Sequence, residues 1–562
     1  MKNQSSHWFH NFKRKLEANR TNWFAFFFYI LLTLIAAWPV ISNLNGVIIG
    51  LDNDVYINPW ADWWTLKALT DPQLSLWQTD YMLYPQGANL IYHSFSHLTT
   101  LVSLSLRPFL GTLPAYNITM LLNIVLAGFS MFQLARYLTK STTAGLLAGI
   151  VFAFNSHNLY QTAHPVLAAV WCLPWAALYF IKAVRENNLK YAFVAAVFVF
   201  LGTAVSTILL ILMGIWFVFL LFYMLIFSEF PRPPWRILLT FGLTSLLLTF
   251  PLLFPLLQDA LTNGNNSFVT DPQRSLVTNI ASLALPRWRE WPDSYFWLKR
   301  GLYIGFVPAI LALLAAIFRW RKARLWLLLF VLAFLFAIGP VPQFLGYRPD
   351  IVFPWTLPIA PILRNMYRMM ILFSLGLAML VAYGWTVLAD FFRSAPGKKM
   401  AAAFIVGTLI FLDYTAGPFP TSPATVSLFY TTYLHNIPDD AVLAILPTGR
   451  QPDKRYMYYQ IYHEQPTING VISRSDPAAF AFIYNNPLLR AGVINKDTPI
   501  TPIPADSELD AALQELTAVN VKYLILDKQL MTKNGMGIEQ WRNVLPLTPI
   551  FEDDLLLVYA TP

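Results

Sequence analysis

At 562 residues the chain is long enough for three or four soluble domains of ~150 residues each. Yet 56% of it is hydrophobic and only 12% is charged, with a mean hydropathy of +0.49, where globular chains carry about 25% charge. A string of soluble domains is therefore excluded, as are a disordered chain and a disulfide-rich scaffold. The expected fold class is mostly α, a polytopic helical membrane protein. The net charge of +9 would suit phosphate neutralisation, but the basic residues sit in separate short turns. No nucleic-acid partner is expected. Cys172 is the single cysteine, so no disulfide forms within the chain.

Residues 1–21 form a basic N-terminus with Lys2, Lys13, Arg14, Lys15 and Arg20. The first apolar run follows without a small-residue cleavage site and reads as a retained anchor. Eleven spans are expected near 22–44, 114–139, 142–156, 165–184, 190–206, 207–228, 235–257, 301–319, 323–340, 364–392 and 399–416. The run 98–112 contains Arg107-Pro108 and reads as a re-entrant or interfacial helix. Alternate connections concentrate positive charge, among them Arg136 and Lys140, Lys182 and Arg185, and Arg319 to Arg324. The positive-inside rule then places the N-terminus in the cytoplasm. An odd number of spans puts the tail on the outer side.

Residues 22–417 thus make a transmembrane domain with a long outer loop, 45–113, and a second outer loop, 258–300. The tail, 418–562, reads as an extracytoplasmic soluble α/β domain. AVLAIL (441–446), VKYLILD (521–527) and DDLLLVYA (553–560) look like strands, and LDAALQELTAV (509–519) looks like an amphipathic helix.

Chemistry is expected on the outer side. Asp52 and Asp54 form a D-x-D directly after span one, suited to a divalent cation or a general base. The alternative is that Asp54 caps an interfacial helix running to about 69. Asp80, His93 and His97 follow in the same loop. The two histidines are spaced for one helical face and a metal, or are ordinary interfacial side chains. The connection 154–165 carries Asn155, His157, Asn158, Gln161 and His164, polar groups that line a cavity or lie in a solvated loop. Arg364 and Arg368 are four apart at the start of span ten. They suit bidentate bonds to a phosphate, or headgroup anchoring by snorkelling.

These residues together resemble the GT-C superfamily of membrane glycosyltransferases, and more closely its poorly characterised bacterial members. The likeness rests on Asp54, Trp60 and Trp63-Trp64, then Thr79-Asp80, Tyr84-Pro85, Gly87 and Asn89-Leu90. Phe154, His164, Leu363-Arg364 and Arg368 continue it. The chain departs from the pattern at Asn53, where a Gly precedes the Asp, at Gln161, which replaces a His, and in lacking a Pro between the arginines.

The resemblance implies transfer of a sugar from a polyprenyl-phosphate-linked donor to a cell-envelope acceptor, a glycan, lipid or protein, on the outer face. Asp54, with Asp80, would be catalytic; Arg364, Arg368, His164, Gln161 and His93 would bind substrate. Asp54 and Asp80 would hold any divalent cation, Mg or Mn. The expected location is a bacterial plasma membrane, with membrane lipids as neighbours. Two alternatives stand beside it: a non-catalytic GT-C-like envelope assembly protein, and a lipid or sugar transporter. A transporter usually shows internal repeats and a midplane site, and neither is visible here.

Overall fold

A computed structural model describes residues 2–262, 279–285, 303–344, 347, 349, 351–363, 365–434, 441–473, 477–494 and 501–562. Arg364 and most of the loop 258–300 lie outside the described residues. Helices occupy every stretch read as a span: α1 (Lys2–Ala36), and later α4 (Thr112–Thr139) and α5 (Thr142–Phe154). Between α1 and α4 come strand β1 (Val47–Ile49), helix α2 (Ile57–Thr70) and helix α3 (His97–Leu110). The bundle continues with α6 (Cys172–Glu186), α7 (Leu189–Val205), α8 (Thr207–Ile226), α9 (Trp235–Thr262), α10 (Phe306–Phe318), α11 (Trp320–Ala337), α12 (Met370–Asp390) and α13 (Pro396–Thr415). Among the described residues, five segments are long and apolar enough to cross a bilayer, and α7 and α10 are shorter apolar helices. This is a multi-pass membrane protein.

The helices stop where the backbone can be capped. Lys140 turns left-handed after α4, and the Ser141 hydroxyl accepts the Ala144 N–H to start α5. Ser206 does the same between α7 and α8. At the centre lies α12, buried from Met370 to Trp385. It approaches α10 so closely that a Cβ on Gly384 would stand 1.9 Å from the Leu311 carbonyl oxygen. In contrast α9 exposes Leu239, Leu243, Leu246, Leu247, Phe250 and Phe254, an apolar surface that suits lipid. At one end of the bundle Arg319 pairs with Asp390 and Arg324 with Glu229.

The long loop and the tail cover the other end. Strand β2 (Thr421–Pro423) pairs antiparallel with β1. The tail then builds β3 (Val442–Leu446), α14 (Pro452–His463), α15 (Asp506–Ala518), β4 (Val521–Asp527), β5 (Pro549–Glu552) and β6 (Leu556–Ala560). Their sheet has the order β3-β4-β6-β5, with β3 and β4 parallel and the other pairs antiparallel. Alternate residues of β3 serve two cores, as a pleated strand requires. Val442, Ala444 and Leu446 share a core with Trp60, Trp63, Trp64 and Met82 of the loop. Leu443 and Ile445 face the core continuous with the bundle. The tail's core is therefore completed by the first loop.

Helix α2 lies between α14 and α3. Trp60 Nε1 donates to Gln460 Oε1 at 2.7 Å, and Lys67 pairs with Glu464 at 2.9 Å. On the other side Asp62 accepts from Thr100 Oγ1 at 2.6 Å, while its second oxygen has no partner among the described residues. Burial raises the Asp62 carboxyl to about 6, against hydrogen bonds from Ser103 and Thr100.

Two predictions follow from this packing. Gly384→Ala should destabilise the bundle by about 1–3 kcal/mol, since a backbone carbonyl cannot yield; thermal unfolding in detergent measures this. Asp62 is best accommodated protonated, so its contribution is complete below the unfolded carboxyl value and is lost as pH rises through 6. Wild type should lose up to about 3 kcal/mol between pH 4 and pH 7.5 at this group. Asp62→Asn should flatten that dependence in unfolding curves.

Candidate functional site

Asp52, Asn53 and Asp54 lie on a 3₁₀ turn that leads into α2. The turn is fixed from three directions. Asn117 accepts from the Ile49 N–H at 3.1 Å and donates to the Leu44 and Val47 carbonyls. Asn58 Nδ2 donates to the Ala163 carbonyl at 3.0 Å. Gly50, at φ +116°, passes so close to this segment that a Cβ would lie 2.5 Å from Ala163 Cα. That close approach brings the loop against residues 161–164.

The result is a carboxylate held between an imidazole and an ammonium from distant segments. Asp54 Oδ2 meets His164 Nε2 at 2.8 Å, and Oδ1 pairs with the Lys454 ammonium. Asp54 caps no helix; both oxygens are used across the fold. Burial works to raise its pKa, but His164 and Lys454 together outweigh burial and hold the carboxyl well below the usual range. Lys454 also donates to Gln451 Oε1 at 3.3 Å. Gln451 in turn accepts from Asn53 Nδ2 through its side chain and its carbonyl.

The loop carrying these groups, 448–454, is organised by Asp453. Its carboxylate accepts from Thr448 Oγ1, the Gly449 N–H, Asn469 Nδ2 and the Gly470 N–H, at 3.0–3.2 Å. Burial raises Asp453 to about 7 in spite of those bonds.

Asp54 opens on a cavity of about 780 Å³. Its polar wall includes Asp52, His93, His164, Arg368, Arg450 and Lys454; its apolar wall includes Leu167, Ile208, Ile211, Leu252, Pro255 and Leu256. The apolar wall comes largely from α8 and α9, so the cavity joins a charged head to a lipid-like side. His93 is buried, and neither ring nitrogen has a partner among the described residues. Burial lowers it to about 4, so it is neutral at pH 7. Arg368 lines the cavity and donates to the Leu363 carbonyl at 2.6 Å.

Asp54, His164, His93 and Arg368 thus line one cavity. Other candidates are placed elsewhere. Asp80 is exposed and outside the cavity lining. Gln161 is buried and outside the cavity lining, with no partner for its amide among the described residues. Arg364 lies outside the described residues. His93 precedes α3 while His97 opens it, so they share no helical face.

Lys454, Arg450 and Gln451 also line the cavity, and they carry little mark of it in the sequence. Their signal is the polar run TGRQPDKR between a strand and a tyrosine-rich helix, and nothing in it points across some 400 residues to Asp54.

A divalent cation would find ligands here, though not the pair Asp54 and Asp80. Asp52, Asp54 and His164 each present a ligand atom, all within 4.8 Å of one another. Two carboxylates and an imidazole suit manganese or zinc better than magnesium, which prefers oxygen.

No family model matches the sequence, and no curated protein does. Solved structures do match in fold. Arabinofuranosyltransferase AftD from Mycobacteria superimposes with a TM-score of 0.56 at 15% identity, over 96% of this chain and 41% of its own. This chain therefore spans about two fifths of AftD. The oligosaccharyltransferase AglB from Archaeoglobus fulgidus, solved with an inhibitory peptide and a dolichol-phosphate, gives 0.52 at 12% identity, over 90% of this chain and 70% of its own. ArnT from Cupriavidus metallidurans, bound to undecaprenyl phosphate, gives 0.51 at 10% identity, over 95% and 97%.

Gly50→Ala should lower the thermal stability by about 1–3 kcal/mol, from both backbone strain and the Ala163 contact. An unchanged unfolding midpoint would show that the loop can shift without cost. Across nearly its whole length, then, the chain has the fold of the GT-C membrane glycosyltransferases.

Proposed function

We propose that the protein is a membrane glycosyltransferase that moves a sugar from a polyprenyl-phosphate donor to a cell-envelope acceptor. The observation that carries this reading is Asp54, a partly shielded carboxylate at the charged end of a cavity with one apolar wall. A polyprenyl tail fits the apolar wall between α8 and α9, and the phosphate fits the group Arg368, Arg450 and Lys454. Two structures of the same fold hold ligands of this kind, a dolichol-phosphate and undecaprenyl phosphate.

In this reading Asp54 is the general base. It takes the proton of an acceptor hydroxyl, the acceptor oxygen bonds to the anomeric carbon, and the bond from that carbon to the phosphate oxygen breaks. The electron pair leaves on the phosphate, where the basic groups stabilise it. A single displacement inverts the anomeric centre. Neutral His93 is placed to hydrogen-bond sugar or acceptor hydroxyls. A manganese ion held by Asp52, Asp54 and His164 would supply further positive charge for the leaving phosphate. The tail and the loop 45–113 then lie on the outer side of a bacterial plasma membrane, with the N-terminus in the cytoplasm.

The test uses membranes incubated with radiolabelled polyprenyl-phosphate sugars. Asp54→Asn should remain folded in the membrane and lose transfer by at least ~10²-fold. Equal transfer by wild type and variant would remove Asp54 as the base. Absence of transfer by both, across the donors tried, would favour the non-catalytic assembly protein.

A further inference from the structure

In the arrangement described both Asp54 oxygens are already engaged, one by His164 and the other by Lys454, so an incoming hydroxyl competes with two partners for the carboxylate. The ammonium responsible belongs to the tail, is 4% exposed, and has Gln451 as its second partner. The backbone beneath it is held rigid by Asp453, while the four-carbon lysine stem is flexible. Arg450 and Arg368 line the same cavity, so an anionic headgroup entering it meets three cations and the Asp54 carboxylate. The carboxylate repels the phosphate and the ammonium attracts it.

We propose that Lys454 is a shuttle: it neutralises Asp54 before the donor binds, and passes to the donor phosphate on binding, freeing Asp54 Oδ1 for the acceptor. The proposal rests on the glycosyl-transfer reading and gives it an order, donor first and acceptor second. In the transfer step the acceptor's proton goes to Asp54 Oδ1 as the new bond to the anomeric carbon forms. The broken bond's electron pair goes to the phosphate oxygen beside the Lys454 ammonium. The tail is then part of the reaction site, because it brings the charge that switches the base on.

The experiment measures equilibrium binding to the full-length protein of two probes, a polyprenyl phosphate without sugar and the polyprenyl alcohol of the same length. Lys454→Met should bind the phosphate at least tenfold more weakly than wild type and bind the alcohol as wild type does. Lys454→Arg should stay within about threefold for both, and Lys454→Gln should repeat the Met result should that variant fold poorly. Unchanged phosphate affinity in Lys454→Met overturns the shuttle, as does an equal loss of both probes, which marks a packing role. A structure of wild type with the phosphate probe should show the ammonium on the phosphate and away from Asp54; an ammonium still on Asp54 also overturns it. If wild type prefers the phosphate no more than the alcohol, the donor reading itself fails, and the shuttle with it.

Discussion

The packing of α2 against α14 is the contact on which the site depends. It joins the loop after the first helix to a segment some 400 residues later, through buried tryptophans and one hydrogen-bond network. Trp60 is fully buried and donates to Gln460, whose amide donates to the Tyr81 and Gln465 carbonyls. A buried indole N–H needs such a partner, and a satisfied polar network fixes one arrangement of the core. The β1–β2 pairing and the Tyr56 hydroxyl on the Pro423 carbonyl hold the same joint from a second side. With both in place, Asp54 and Lys454 are brought together without either segment needing to be rigid alone.

The charges at this joint contribute specificity more than stability. Removing an ammonium and a carboxylate from water costs several kcal/mol per ion, and their attraction offsets this only when the geometry is good. Lys454 is almost fully covered, so it depends on Asp54 and Gln451 for compensation. Asp54 retains partial access to solvent, which is what a group that exchanges partners requires. Asp453 and Asp62 show the other outcome. Each is buried, Asp453 among hydrogen-bond donors and Asp62 with only the Arg107 charge acting on it, and burial outweighs these and pushes each up in pKa. The difference in partners thus separates one carboxylate that stays charged from two that are built into the frame.

Much of the bundle was legible because apolar run length and cap residues act locally. The apolar runs read near 142–156 and 207–228 are helices that begin at the caps Ser141 and Ser206. The tail strands at 442–446 and 521–527 were equally plain, since continuous apolar runs bounded by polar residues signal strands buried on both faces. The site was legible only in part. Asp54 and His164 were visible from their position between spans, and Arg368 from its spacing. The resemblance made Asp80 a partner of Asp54, and the turn after Thr79 leaves Asp80 exposed.

By itself, the sequence determined the membrane class, the places of the helices, the strands of the tail and the end of the chain's polarity pattern where chemistry gathers. These follow from local hydrophobicity, charge and capping. Only the tertiary structure decided that the tail completes its core with the first loop, that Lys454 stands beside Asp54, and that His164 joins the Asp52 and Asp54 pair. The reason is physical: ion pairing and packing act over a few ångströms in space. The residues they join lie about 110 and 400 positions apart, a distance over which no local pattern carries information.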